Sequence, residues 1–108
     1  MEANFGDYIR KLRTENGWTL TQLGAKLGLD SGALSKIETG KKELDETFLP
    51  KLAKVFSLDE EKLKSELISE KIAHKIYQYQ CTDEVLTLAE EKVKYIRQKS
   101  AKQAKLKF

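Results

Sequence analysis

Between Thr19 and Lys42 the sequence holds two short helical patterns, separated by too few residues for anything except a tight turn. In the first pattern Thr19 and Gln22 stand three residues apart, which is the spacing of a capping box. Apolar residues then recur at the spacing of one helix face: Leu20, Leu23 and Leu27. Gly28 predicts the end of this helix, because glycine tolerates the left-handed conformation found just past a helix.

The second pattern begins after Asp30 or Ser31, either of which can cap a helix. Leu34 and Ile37 have the spacing of an inward face, and Gly40 marks the end. The outward positions are small, polar and almost uncharged: Ser31, Gly32, Ser35, Lys36 and Thr39. Such a face suits close approach to another surface better than it suits simple solubility.

A helix, a short turn and a second helix with an exposed contact face form a helix-turn-helix arrangement. From Phe5 to about Leu63 the chain resembles the Cro/C1-type, or Xre-type, domain of phage repressors and small bacterial regulators. The resemblance rests on IRKLR at 9–13, Gln22-Leu23 with Lys26-Leu27-Gly28, LSKIE at 34–38 with Gly40, and FLPKLAKVF at 48–56. It implies an all-α fold, a lambda-repressor-like head of four to five helices with a C-terminal helical extension.

The segment before the motif predicts a first helix from Asn4 to Glu15, which the pair Asn16 and Gly17 ends. Its periodicity puts apolar side chains on one face and basic side chains on the other. The apolar face holds Phe5, Ile9 and Leu12, and the basic face holds Arg10, Lys11 and Arg13. Trp18 follows at the junction with the motif, where we expect an indole that packs and is partly buried.

A fourth helix is predicted from Thr47, a natural N-cap that places Pro50 in the first turn, where a missing N–H costs nothing. Its apolar residues should close the core of the head: Phe48, Leu49, Leu52, Ala53, Val55 and Phe56. Ser57 and Glu60 have the spacing of another capping box, which predicts a long fifth helix to about Tyr79. After a break at 80–82, Asp83 can cap a sixth helix.

The fifth and sixth helices carry more apolar surface than a small head can bury. Residues 63–96 therefore either fold back on the head as a hairpin or pair with another copy. We favour a homodimer, because the resemblance implies recognition helices that read two half-sites through a two-fold axis. The residues assigned to dimerisation are Leu67, Ile72, Ile76, Tyr79, Leu88 and Ile96.

These patterns divide the chain into a DNA-binding domain at 1–62, a helical extension at 63–98 and a basic tail at 99–108. Residues 57–96 hold six basic and nine acidic residues, so this part is a poor candidate for lying on DNA. Residues 97–108 hold five basic and no acidic residues. We interpret them as a fraying helix end or a flexible tail, which either stays solvated or adds salt-sensitive attraction to nucleic acid.

The resemblance also implies which residues contact double-stranded DNA. Base contacts fall on Ser31, Gly32, Ala33, Ser35 and Lys36, and phosphate contacts fall on Thr19, Thr21, Thr39, Lys41 and Lys42. Lys41 and Lys42 would hold phosphate through both backbone and side chain. One departure concerns Leu20, which stands where many relatives have a glutamine that bonds a phosphate. Asp30 and Glu38 would repel phosphates, so we assign Asp30 to capping and Glu38 to a structural role.

Composition gives no sign of catalysis, a cofactor or a metal. Cys81 is the only cysteine, so the sequence has neither an intramolecular disulfide nor zinc-ligand spacing. His74 has no second ligand or catalytic partner in the pattern around it, and no Gly-rich phosphate loop is present. The sequence has no long apolar run and no signal-peptide pattern, so we expect a cytoplasmic protein without a membrane segment.

The sequence thus predicts a homodimeric, sequence-specific transcriptional regulator that binds a palindromic operator and is not an enzyme. By family analogy it is a phage-type repressor or the controller protein of a restriction-modification system, with RNA polymerase as a further partner. Two alternatives stay open. The first is the antitoxin of a toxin-antitoxin pair, with the C-terminal helices on a toxin and the head repressing the operon. The second is a module that binds only other proteins.

Overall fold

The computed structural model describes the backbone of residues 4–106 and the side chains of residues 4–101. Over these residues the chain is all-α, as the sequence predicted, with no strand. The helices are α1 (Phe5–Glu15), α2 (Leu20–Leu27), α3 (Ser31–Glu38), α4 (Leu49–Phe56), α5 (Glu60–Gln78) and α6 (Asp83–Leu106). A short 3₁₀ helix, Glu46–Phe48, precedes α4.

The chain divides into two compact units within α5. We call Met1–Ala73 the N-terminal unit and His74–Phe108 the C-terminal unit. The sequence had placed the end of the DNA-binding domain at residue 62, eleven residues earlier than this division.

The N-terminal unit has one apolar core to which every one of its α-helices contributes. Its buried residues are Phe5, Ile9, Leu23, Leu27, Leu34, Ile37, Leu44, Leu49, Leu52, Ala53, Leu63 and Leu67. Most of them lie at positions where the spacing predicted an inward face. Leu44 is an exception, because it lies in the loop between α3 and the 3₁₀ helix and has no periodic pattern around it.

Two glycines let backbones approach closely in this core. A Cβ at Gly6 of α1 would overlap Ile37 O and lie 2.8 Å from Glu38 O, so α1 crosses the end of α3 in direct backbone contact. A Cβ at Gly24 of α2 would overlap the carbonyl oxygen of Leu29 in the turn that follows. A larger side chain at either position would force these elements apart.

The start of α4 differs from the sequence prediction. Thr47 is not the N-cap; it lies inside the 3₁₀ helix, and its N–H donates to Oδ1 of Asp45 at 2.9 Å. The helix proper begins at Leu49, which leaves Pro50 in the first turn as predicted. The sequence does not distinguish the two starts well, since aspartate and threonine are both good capping residues.

The start of α5 also needs a correction. Ser57 does not open a capping box; it ends α4 in the left-handed conformation, with φ of 54°. Asp59 caps α5 instead, because its Oδ1 accepts a hydrogen bond from Glu61 N at 3.0 Å. A left-handed serine is uncommon, and the loop there has no glycine to mark the turn.

The first part of α5 belongs to the N-terminal unit through its side chains. Glu70 accepts hydrogen bonds from Phe5 N at the start of α1, at 3.0 and 3.2 Å. Lys71 donates to Glu46 at 2.9 Å. Leu67, which the sequence analysis assigned to dimerisation, is only 2% exposed in the core. That assignment is corrected, since a side chain buried in its own unit is not available to a partner.

The C-terminal unit contains the end of α5, a turn and α6. Gln80 adopts a positive φ of 53° in the turn, where the sequence predicted a break. Asp83 is the first residue of α6 rather than its cap. The helix continues through Leu106, so residues 97–106 are helical, one of the two alternatives that the sequence left open. Residues 107 and 108 of the predicted tail lie outside the described residues, as do the side chains beyond Ala101.

Every described side chain of α6, from Asp83 to Ala101, is exposed. The large apolar ones among them are Val85, Leu86, Leu88, Val93, Tyr95 and Ile96. Of the other residues assigned to dimerisation, Ile72 and Tyr79 are exposed and Ile76 is half-buried. Within the described part of the chain, no helix has the length and hydrophobicity that a membrane crossing requires.

Candidate nucleic-acid interface

Helix α2 is capped at both ends, and its second cap starts the turn into α3. The predicted capping box is present: Gln22 N donates to Thr19 Oγ1 at 3.1 Å, and Thr19 N donates to Gln22 Oε1 at 2.8 Å. Gly28 ends α2 in the left-handed conformation, with φ of 75°. Leu29 N then donates back to Gly24 O at 2.9 Å. These local bonds set the path along which the chain enters α3.

Asp30 is the residue that caps α3, which resolves the two alternatives left by the sequence. Its Oδ1 accepts a hydrogen bond from Ala33 N at 2.7 Å, and α3 begins at Ser31. The carboxylate therefore has the structural role predicted for it. The N–H groups of Ser31 and Gly32, in the first turn, have no intrahelical partner, and both residues are exposed.

The inner face of α3 anchors it to the core through Leu34 and Ile37, which are both buried. On the outer face Ser31, Gly32 and Lys36 are exposed. Ala33 and Ser35 are half-buried, so they present less surface than the sequence suggested. All five residues predicted to contact bases nevertheless lie in one short helix, and its exposed first turn carries only a hydroxyl and a glycine.

A buried ion pair supports α3 from behind. Glu38 is 4% exposed, and it accepts hydrogen bonds from Arg13 Nε at 2.8 Å and from Arg13 Nη2 at 3.0 Å. Arg13 Nη1 also donates to Trp18 O at 2.8 Å. The hydrogen bonds that Arg13 donates to Glu38 raise the pKa of the Arg13 guanidinium above its ordinary value. One side chain thus joins α1, the α1–α2 loop and α3.

This pair confirms the structural role predicted for Glu38 and corrects the placement of Arg13. The sequence put Arg13 on the basic face of α1, away from the apolar face, whereas its side chain is only 13% exposed. No periodicity could have revealed the pair, because its members lie 25 residues apart on different helices. Their approach depends on the close α1–α3 crossing at Gly6.

Thr39, Lys41 and Lys42, which were predicted to contact phosphate, use their backbone or hydroxyl donors for hydrogen bonds within the chain. The N–H groups of Lys41 and Lys42 both donate to Lys36 O, at 2.9 and 3.2 Å. The Thr39 hydroxyl donates to Ser35 O at 2.9 Å. A phosphate oxygen only accepts hydrogen bonds, so the donors of Thr39 and the two lysine N–H groups are already in use. The ammonium groups of Lys41 and Lys42 lie on exposed residues and can still reach a phosphate.

At the start of α2, Thr19 and Thr21 are exposed beside the first turn. The Thr19 hydroxyl accepts from Gln22 N, and its own proton can still be donated to a phosphate. The N–H groups of Leu20 and Thr21 have no intrahelical partner, because they belong to the first turn. The positive end of the helix dipole favours an anion here.

Trp18 packs as predicted. Its ring lies 5.4 Å from that of Phe56, between centroids, and Lys26 Nζ lies 4.6 Å from the indole centroid. The indole is half-buried in the N-terminal unit. It therefore braces the end of α4 against the α1–α2 loop and the side of α2.

The described residues bring together no group of three or more His, Cys, Asp or Glu side chains that could hold a metal ion. Cys81 is half-buried near the turn before α6, and His74 is exposed.

A helix, a tight turn and a second helix with an open outer face define a helix-turn-helix domain, the class that places one helix in the major groove of DNA. Comparison with family models agrees, since a helix-turn-helix family matches residues 9–63. The chain belongs to this family. It is a DNA-binding helix-turn-helix transcription regulator of the Xre, or Cro/C1, type.

Two solved structures are similar to the chain. The clp gene regulator ClgR from C. glutamicum is 25% identical, with a TM-score of 0.49 over 60% of this chain and 84% of that one. A chain of the SinR protein/SinI protein complex is 22% identical, with a TM-score of 0.49 over 86% of this chain and 97% of that one. No curated protein matches the chain.

Proposed function

We propose that this regulator binds a palindromic operator as a homodimer and reads each half-site with α3. The observation that carries the proposal is the outer face of α3, where Ser31 and Gly32 are exposed at the helix start and Lys36 is exposed one turn later. A helix with such small first-turn residues can enter a major groove about 12 Å wide without steric conflict. Lys36 then reaches guanine acceptors.

Charge supports the same orientation. Lys36, Lys41 and Lys42 are exposed at one end of α3, whereas the nearby carboxylates of Asp30 and Glu38 are occupied by a helix cap and by Arg13. The cationic side chains would neutralise phosphates on either side of the groove. With one lysine and short hydroxyl side chains facing the bases, part of the sequence preference would come from DNA shape.

The homodimer follows from the affinity that one recognition helix can supply. A single short helix makes too few base contacts for an operator, and a two-fold partner doubles them at half-sites about 34 Å apart. The C-terminal unit offers exposed apolar residues for such a partner, among them Leu86 and Ile96. The controller-protein and phage-repressor roles both fit this dimer, and both remain predictions from family analogy.

The experiment is a selection of bound sequences from random double-stranded DNA. It compares the full chain with a truncation that ends at Ala73, the end of the N-terminal unit. This end point keeps Leu67, Glu70 and Lys71, which a shorter truncation would remove from the core and its contacts. Circular dichroism of the truncated chain checks that the N-terminal unit is still folded.

A palindromic consensus that needs the C-terminal unit would support the proposal. A half-site bound equally well by both chains would contradict the homodimer, and DNA binding by the N-terminal unit would still be supported. A full chain that stays monomeric until a second protein orders α6 would favour the antitoxin alternative. Absence of any consensus, even at low salt, would favour a module that binds only proteins.

A further inference from the structure

The charges of α6 fall into two blocks of opposite sign. Residues 83–91 hold four acidic residues and no basic one, namely Asp83, Glu84, Glu90 and Glu91. Residues 92–101 hold four basic residues and no acidic one, namely Lys92, Lys94, Arg97 and Lys99. All eight side chains are exposed. The first half of the described part of α6 is therefore negatively charged and the second half positively charged, and the sign changes between Glu91 and Lys92.

The apolar residues of α6 form a stripe on one side of the helix. At about 100° of rotation per residue, five of them fall within an arc of roughly 100°. These five are Val85, Leu86, Ala89, Val93 and Ile96. Leu88 and Tyr95 lie outside this arc, about 60° and 80° beyond Val85, so Leu88, which the sequence assigned to dimerisation together with Ile96, borders the five residues and is not one of them. We call the five residues the α6 stripe.

We propose that the α6 stripe binds the α6 stripe of a second copy in antiparallel orientation. This inference rests on the proposed homodimer and specifies the surface and direction of its pairing. The charges of α6 indicate that its partner is a second copy. An antiparallel copy places the acidic block of each helix beside the basic block of the other. A parallel copy would set acid beside acid and base beside base.

The spacing of the stripe fits an antiparallel two-fold axis near Glu91. With the axis there, Leu86 of one helix lies opposite Ile96 of the other, and Ala89 lies opposite Val93. The small Ala89 faces the β-branched Val93 at the centre, and the larger side chains face each other outside it, so the two stripes interlock. On the flank, Asp83 of one helix lies near Arg97 of the other.

The flanking charges discriminate between the two directions. In the antiparallel pair the Asp83 and Arg97 contact occurs twice, and like charges meet only near the axis, where Glu90 and Lys92 each approach their own copy. In a parallel pair with the same stripe, Lys92 would lie beside Arg97 of the partner on both flanks, and the two acidic blocks would adjoin. Repulsion would then act along the whole helix.

Cysteine cross-linking of the full chain tests the direction directly. In a Cys81→Ser background, Leu86→Cys and Ile96→Cys chains are oxidised separately and as an equimolar mixture. The antiparallel pair brings position 86 within disulfide range only of position 96, so the mixture should form a mixed dimer while each chain alone stays uncrosslinked. Leu88→Cys, which lies outside the α6 stripe and opposite position 94 of the partner in this register, is the matched control and should not cross-link when oxidised alone.

A disulfide between two Leu86→Cys chains would overturn the proposal, because only a parallel pair brings those positions together. If no cross-link forms although the chain sediments as a dimer and selects a palindrome, the proposal is also wrong, and the homodimeric regulator stands on another interface. If the unmodified chain is a monomer without an operator, the proposed function fails as well. Circular dichroism of each variant checks that α6 is still helical.

Charge reversal gives an independent test in which no residue of the α6 stripe is changed. Reversing one block, by Asp83→Lys with Glu84→Lys or by Arg97→Glu with Lys99→Glu, should raise the Kd of the homodimer about tenfold. Reversing both blocks in one chain should restore it. The Kd of each of the three reversal variants is measured by sedimentation at low salt. A parallel pair would leave the Kd unchanged in all three variants, and that result would overturn the proposal.

Discussion

The two units of this protein use leucine in opposite ways. In the N-terminal unit Leu34 is fully buried, at 0% exposure, and it lies in a core to which five α-helices contribute buried residues. In the C-terminal unit Leu86 is 46% exposed on a helix whose described side chains are all exposed. Helical spacing of apolar residues predicted an inward face for α3, and for the sixth helix it predicted an apolar face that folds back on the head or pairs with another copy. Periodicity therefore indicates a helix face that can be buried, and it does not specify which part of the protein, or which partner, buries that face.

Polar groups differ between the units as well. The N-terminal unit places charged pairs between elements, such as Arg13 with Glu38 and Lys71 with Glu46. On α6 the charges are sorted along one helix into an acidic and a basic block. The first arrangement fixes how helices of one chain lie together. The second arrangement discriminates between directions in which another helix can approach, which is why we assign it to a second copy.

The largest expected effect comes from opening the core. Leu34→Ala should lower the free energy of unfolding of the N-terminal unit by about 2–5 kcal/mol, because the change removes apolar contacts and leaves a cavity. Leu86→Ala is the matched control and should change it by less than about 0.5 kcal/mol. Urea unfolding followed by the fluorescence of Trp18, the one tryptophan, reports on this unit. Equal losses in both variants would remove the distinction between the units.

The next effect concerns the buried ion pair. Glu38→Ala should destabilise the N-terminal unit by about 2–4 kcal/mol, because it leaves the Arg13 guanidinium largely buried without its carboxylate. Glu91→Ala, at an exposed position of α6, is the control and should have little effect on the Trp18 transition. The double variant with Arg13→Ala completes a cycle. If its loss equalled the sum of the two single losses, the pair would not couple α1 to α3.

A smaller effect is expected on DNA binding without loss of stability. Lys36→Ala should weaken binding to the selected operator by about 1–3 kcal/mol and relax the preference at one position of each half-site. Lys41→Ala should instead weaken all sequences about equally and flatten the salt dependence. Fluorescence anisotropy at several salt concentrations, with operator and scrambled duplexes, distinguishes loss of a base contact from loss of a phosphate contact. A uniform loss for Lys36→Ala would show that it contacts phosphate rather than a base.

The smallest effect is a dependence of stability on pH. The hydrogen bonds from Thr47 lower the pKa of Asp45, and the hydrogen bond from Lys71 lowers the pKa of Glu46. A carboxylate with a lowered folded-state pKa stabilises the fold above its unfolded pKa of about 4, and this contribution is lost as pH falls through the folded value. We therefore expect the N-terminal unit to lose stability on acidification from about pH 5 to 3.

The double variant Asp45→Asn with Glu46→Gln should flatten that acid dependence while changing Tm little at pH 3. The control is Glu43→Gln, an exposed residue in the same loop. Melting curves at half-unit pH steps give the comparison. An unchanged pH slope in the double variant would mean that other carboxylates account for the acid sensitivity.

The sequence by itself determined the motif, because its signals are local. The Thr19 and Gln22 capping box, the left-handed Gly28 and the inward pair Leu34 and Ile37 each depend on residues within one or two turns. It also located the break before α6 and the structural role of Glu38. At the starts of α4 and α5 several capping residues stood close together, and there the local signals did not select Asp45 and Asp59.

Only the tertiary structure decided the contacts between distant elements. Gly6 has no local pattern that marks it, and its importance appears where α1 meets the carbonyl groups at the end of α3. The pairing of Arg13 with Glu38, and the hold of Glu70 on the start of α1, likewise join residues 25 and 65 positions apart. Helical periodicity repeats within a few residues, so it specifies which face of a helix is apolar. Which atoms meet that face depends on how the whole chain closes around its core.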